Sequence, residues 1–214
     1  MVFSYKTIRN SAEGLVKEKG SKFFSYAFPI TTEFEAAERL AEVRKLHPKA
    51  RHFCYAWKLG TSNQLYRSND DGEPSGTAGR PILGQIEKLQ LTDIIVIVVR
   101  YFGGTLLGTG GLIQAYRGAA AVALEVSEVI ENLVYFSVVI DYDYSMTSDI
   151  MHILKVFQLT IEEQVFELVP QMVVKIPVSV YDDFLVSLKA QLCQVSLEEA
   201  NTIESIENFN IKIC

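Results

Sequence analysis

The chain has 214 residues, 49% of them hydrophobic and 21% charged, with a net charge of −6. That length allows one large or two small domains with a real core. No window approaches ~18 uninterrupted apolar residues, which excludes a helical membrane span, and the start MVFSYKTIRN lacks an apolar signal core. Cys54, Cys193 and Cys214 are too few and too scattered for a disulfide framework or a zinc site, so a cytoplasmic protein is expected.

The charge is uneven. Residues 1–132 carry 16 Lys/Arg against 14 Asp/Glu, and residues 133–214 carry 4 against 12. All 13 glycines lie at or before Gly118. Two such compositions predict two domains, 1–132 and 133–214. The acidic second half is a poor generic binder of polyanions, so any nucleic-acid contact should come from the first.

In chain order, β segments are expected near 5–18 and 22–30, turning at Lys19-Gly20-Ser21. Thr32 caps a helix over 33–46 with Phe34, Ala37, Leu40, Ala41 and Val43 as its apolar positions. Phe53–Leu59 reads as a strand with a hairpin partner at Asn63–Arg67. Pro81 fits the first turn of a helix over 81–89. Ile94–Phe102 is a buried strand, and an Ala-rich helix runs from Thr109 to about Glu128.

Beyond Asn132 the pattern is β-α-β-β-α-β, the ferredoxin-like order. Its strands lie at 134–143, 160–168, 171–179 and 203–213. Its helices lie at 146–157, capped by Ser145, and 181–192. Pro170 stands at the strand junction, where it costs no ladder bond. This half contains His152 and no catalytic cluster, and reads as a docking or scaffold module.

Two glycine-rich loops carry the functional signal. Gly76-Thr77-Ala78-Gly79 precedes one helix and Gly108-Thr109-Gly110-Gly111 precedes the next, 32 positions later. Each offers free backbone N–H groups at a positive helix end. Arg80 follows the first loop, and Arg100 and Arg117 flank the second. Guanidinium groups beside such nests suit a phosphate or an RNA backbone. The same glycines would equally serve tight helix-on-sheet packing, with the arginines paired to Asp70, Asp71 and Glu73.

Enzyme signatures are incomplete. Gly103 to Thr109 has Walker-loop glycine spacing, but Thr109 stands where the lysine belongs. Gly-x-Gly-x-x-Gly is absent in a usable form, and no cofactor is expected. Asp70, Asp71 and Glu73 could hold magnesium, though a solvated acidic turn is the commoner outcome. His52 and Cys54 share a strand face, the minimum for a Cys–His nucleophile pair, without a visible orienting partner. His47 adds no metal spacing. Tyr101 and Phe102 could stack on bases, although aromatic residues ending a buried strand are usually core.

Four motifs resemble the IMPACT family and its bacterial YigZ-like members. They are Gly20-Ser21-Lys22-Phe23, Arg51-His52-x-Cys54-Tyr55-Ala56, DDGEPSGTAGRP at 70–81, and RYFGGTLLGTGGLIQAYR at 100–117. The resemblance covers essentially the whole chain. It implies an α+β protein of two domains. The first would be of the ribosomal-protein and elongation factor G domain IV type, with a left-handed βαβ crossover, an exception to the usual hand. The second would be ferredoxin-like, similar to elongation factor G domains III and V. Eukaryotic members carry an extra N-terminal partner-binding domain with no counterpart here, so their control of the amino-acid-starvation kinase is not carried over.

The favoured expectation is a non-catalytic regulator of translation that binds RNA or the ribosome. Its seat would combine Arg51, Lys58, Gly76, Thr77, Gly79, Arg80, Arg100, Gly103, Gly104, Gly108, Thr109, Gly110, Gly111 and Arg117. The acidic second half would serve a protein partner. The alternative is an enzyme acting on a phosphorylated small molecule or a peptide, with His52, Cys54, Asp70, Asp71 and Glu73 supplying acid–base groups.

Overall fold

The structure, a computed structural model, describes residues 2–61 and 65–214. The chain divides into two compact units, Tyr5–Asn132 and Met1–Ser4 with Leu133–Cys214. In the first, β2 (Ala12–Glu18), β3 (Ser21–Pro29), β4 (His52–Leu59), β5 (Leu65–Asn69) and β6 (Ile94–Tyr101) form a sheet of order β2-β3-β6-β4-β5. A short β1 (Ser4–Ile8) pairs with β7 (Val129–Leu133). The first expected β segment is therefore two strands, broken at Arg9–Ser11. Asn63 and Gln64 of the expected hairpin partner lie outside the described residues, and its described part is β5.

Helix α1 (Glu33–Leu46) covers one face of this sheet, and α2 (Gly79–Lys88) and α3 (Gly108–Glu125) cover the other. Strand β6 lies at the centre with both faces covered. Ile94 through Val99 are all fully buried, which is why the run is continuously apolar instead of alternating. Even-numbered residues of β6 face α2 and α3, and odd-numbered ones face α1.

Thr32 caps α1 by accepting from the Glu35 N–H. The buried stripe of α1 matches the expected one only in part. Leu40 and Val43 pack inward as expected and Ala36 joins them, while Phe34 is 72% exposed and Ala37 and Ala41 also face outward. Phe34, Ala37 and Ala41 have helical spacing as Ala36, Leu40 and Val43 do, and only the direction of docking separates the two stripes.

In the second unit, β8 (Tyr135–Tyr142), α4 (Thr147–Val156), β9 (Thr160–Val165), β10 (Gln171–Pro177), α5 (Tyr181–Cys193) and β11 (Phe209–Ile213) follow the expected β-α-β-β-α-β order. The sheet order is β11-β8-β10-β9, and every pair is antiparallel. Val138, Ile140, Ile150, Leu154, Val174, Phe184 and Leu188 form its core. Ser145 does not cap α4. Asp143 accepts from the Ser145 N–H and opens a 3-10 turn ahead of the helix. The last strand is shorter than expected, because α6 (Leu197–Ala200), closed by a Ser196/Glu199 capping box, and an irregular stretch precede it. Among the described residues, no helix is long and apolar enough to cross a membrane.

Candidate nucleic-acid interface

The two glycine loops, alike in sequence, differ in what fills them. At the first, the Asp70 carboxylate accepts hydrogen bonds from Gly76 N (2.8 Å), Ala78 N (2.9 Å) and Gly79 N (2.8 Å). The nest at the start of α2 thus already holds an anion, supplied by the chain itself. A Cβ on Gly79 would stand 2.6 Å from Asn69 N, so that glycine serves close backbone packing. Thr77 is buried, and its hydroxyl donates to Pro74 O at 2.6 Å. The expected phosphate seat at Gly76, Thr77 and Gly79 is therefore corrected: its donors are taken.

The second loop is open. Gly104, Thr109 and Gly110 are exposed, and α3 begins without a side-chain cap. Gly103 is the exception. A Cβ there would lie 1.9 Å from Gly20 C, so the loop crosses directly against the β2–β3 turn. Its N–H donates to Ser21 Oγ at 3.1 Å. Here the close approach is to another strand, not to a phosphate.

Arg100 is also removed from the expected seat. It is 93% buried by its 7% exposure, and its Nη1 donates to both Glu73 carboxylate oxygens at 2.8 and 3.1 Å. The guanidinium lies over the Phe23 and Phe102 rings. Tyr116 completes the cluster by donating to Glu73 Oε1 at 2.8 Å. A charge held this way has no freedom to meet a polyanion.

The acid–base cluster of the enzymatic reading is likewise committed. The Cys54 thiol is buried, donates to Asp70 O at 2.9 Å and lies 3.4 Å from Tyr116 Oη. Burial pushes its pKa far up, so it does not form the thiolate a nucleophile needs. Burial does the same to the Tyr116 phenol. His52 Nδ1 is 3.0 Å from Asp71 O, which only a ring N–H can satisfy, and no hydrogen bond joins His52 to Cys54. Asp71 accepts from Phe53 N at 2.7 Å and pairs with Arg44 at 3.2 Å. Asp70, Asp71 and Glu73 thus each serve a separate set of partners. Among the described residues, no group of His, Cys, Asp or Glu converges on a metal position.

Three of the expected residues do come together. Gly76, Arg80 and Arg117 line one groove with Pro81, Gly84, Gln85 and Ile113, a volume of about 500 Å³. Arg80 projects from the first turn of α2 and Arg117 from the middle of α3, and both are exposed. Among the described residues neither has a carboxylate within ion-pair distance. Arg51 and Lys58 stand apart from it. Arg51 precedes β4, and Lys58 is near its far end, six positions from His52 and so roughly 20 Å along the strand.

Sequence reasoning missed Asp70 as an internal anion and Tyr116 as the third member of the Arg100 cluster. A signal for the first was present: Asp70 stands six residues ahead of Gly76, and the second loop has no acid at that offset. Tyr116 falls on the buried stripe of α3 with Leu112, Ala119, Ala120 and Ala123.

The Impact N-terminal domain family model matches residues 19–124, which span all these features. The IMPACT family member YvyE of Bacillus subtilis is 36% identical over 163 residues, 76% of this chain and 75% of that protein. The IMPACT family member YigZ of Escherichia coli is 45% identical over 113 residues, 51% of this chain and 55% of that protein. The chain thus spans about half the length of this second relative. A crystal structure of a hypothetical protein matches with a TM-score of 0.72 at 30% identity, covering 92% of this chain and 96% of that one. The motifs, the matched domain and the shared length together place the chain in one group: it belongs to the IMPACT family.

Proposed function

We propose that this protein is a non-catalytic regulator of translation that binds RNA, on the ribosome or free, through the groove between α2 and α3. The observation that carries this reading is the pair Arg80 and Arg117. They are exposed, unpaired among the described residues and gathered in one groove, whereas Arg100 nearby is locked to Glu73. Two unpaired guanidinium groups lining one groove concentrate positive charge there, and a phosphate between them would be held by both. The charge division supports the same placement, since only residues 1–132 carry more base than acid.

In this reading residues 5–132 form a domain of the ribosomal-protein and elongation factor G domain IV type with a left-handed crossover, and residues 133–214 form a ferredoxin-like module. The acidic module serves a protein partner. Its exposed apolar tip at Phe166, Leu168 and Val169, close to Asp141 and Asp143, supports that role. The protein is cytoplasmic and needs no cofactor. The committed hydrogen bonds of Cys54, Asp70 and Glu73 weigh against the enzymatic alternative.

The test is co-sedimentation with ribosomes and separated subunits over a salt series. Binding should weaken steadily with salt and disappear in the Arg80→Glu/Arg117→Glu variant. Unchanged binding by that variant overturns the groove as the seat. No binding of the wild type at low salt overturns the ribosome reading.

A further inference from the structure

A second recess lies on the opposite face of the same sheet, the face that α1 covers. It is about 330 Å³, within the small end of the ligand-pocket range, and is lined by Gly20, Lys22, Phe24, His47, Tyr101 and Phe102. Its walls are rings. Phe24 packs edge-on against Tyr101, with centroids 5.8 Å apart, and tilts on His47 at 5.1 Å. His47 is held at both ends: Nε2 is 2.6 Å from the Tyr26 hydroxyl and Nδ1 is 3.0 Å from the Tyr101 hydroxyl. Such a doubly anchored imidazole is a fixed wall, and both its ring nitrogens are engaged. Phe102 is 58% exposed at the rim.

The rim is cationic. Lys22 stands directly opposite Lys17 in the β2–β3 ladder and opposite Tyr101 in the β3–β6 ladder. Like charges facing each other across a ladder are destabilising without a counter-anion. Neither lysine has an ion pair among the described residues. Glu18, opposite Ser21, alternates to the other face of the hairpin, and Glu13, opposite Tyr26, is the acid that shares this face and acts on His47. On this face of the hairpin the two lysines therefore outnumber the one acid.

Flat rings with an unpaired ammonium beside them match a base with its phosphate. Bases stack on aromatic side chains with little regard to sequence. We propose that this recess seats one nucleotide of a single-stranded RNA, its base against Phe102 and Tyr101 and its phosphate at Lys22. The proposal rests on the RNA reading above and adds a second point of contact to it.

The experiment is fluorescence anisotropy of a labelled ten-nucleotide RNA and of an abasic strand of the same length, at low salt. The wild type should bind the RNA about tenfold more tightly than the abasic strand, the effect of one stacked base. Phe102→Ala should erase that preference and leave abasic binding unchanged. Lys22→Ala should weaken both strands alike. Thermal melting of each variant separates loss of contact from loss of fold, and the more conservative Phe102→Leu should show the same loss of preference. A Phe102→Ala protein that keeps its preference overturns the proposal, because the base then sits elsewhere. Equal wild-type affinity for both strands also overturns it while leaving the Arg80/Arg117 groove intact. Absence of binding to either strand overturns both readings.

Discussion

Arg100 and Glu73 form an ion pair at 2.8 Å with side-chain exposures of 8% and 4%. Few charged pairs lie so far from water. The pair ties the DDGEPSGTAGRP loop to the end of the central strand β6, and Tyr116 extends the tie to α3. It turns two residues that looked like functional charges into the fastening of three elements.

Removing one partner should be costly. Glu73→Ala leaves the buried Arg100 charge uncompensated and the Tyr116 hydroxyl without its acceptor. The expected loss is about 3–5 kcal/mol of stability, read by urea unfolding. A loss below about 1 kcal/mol, the level of an exposed pair, would contradict the burial on which this rests.

Asp70→Ala empties the nest at α2. It should destabilise by about 1–2 kcal/mol, as loss of a good helix cap does. It should also uncover an anion site that the wild type fills for itself. Sulfate should therefore raise the melting temperature of Asp70→Ala more than that of the wild type. Equal responses would mean that the freed N–H groups collapse onto other partners.

His47 gives a pH dependence. Burial lowers its pKa below the usual histidine value, with the smaller effect of Glu13 opposing it. The unfolded chain then binds the proton more readily than the native one, starting near the ordinary value of about 6.5. Stability from this group is complete above that pH and is lost as the pH falls below it toward the lowered native value. Melting temperatures between pH 7.5 and 5.5 should fall for the wild type and fall less for His47→Gln. Parallel curves would show that His47 does not titrate differently on folding.

Thiol accessibility should separate the three cysteines. Cys214 is exposed, Cys193 is intermediate and Cys54 is buried. Iodoacetamide at pH 8 should label Cys214 first and leave Cys54 unmodified until the protein unfolds. Native-state labelling of Cys54 would restore the nucleophile reading.

The element pattern was legible because it rests on local chemistry. Thr32 caps α1, Pro81 sits in the first turn of α2, and β6 reads as a continuous apolar run because both its faces are covered. Phe34 shows the limit. A helical stripe through it, Ala37 and Ala41 and one through Ala36, Leu40 and Val43 satisfy the same period, and the docking surface that chooses between them is distant in sequence.

The candidate site shows the same division more sharply. By itself the sequence determined the family motifs, the two glycine loops, and the arginines and acids around them. It even held the one difference between the loops, an aspartate ahead of the first and none ahead of the second. Only the tertiary structure decided which charges cancel. Asp70 fills a nest six residues away, Glu73 takes Arg100 from 27 residues away, and Arg80 and Arg117 line one groove from two helices. Charge pairing acts through distance in space, and a guanidinium has the same chemistry in sequence whether folding sets it against a carboxylate or leaves it facing water.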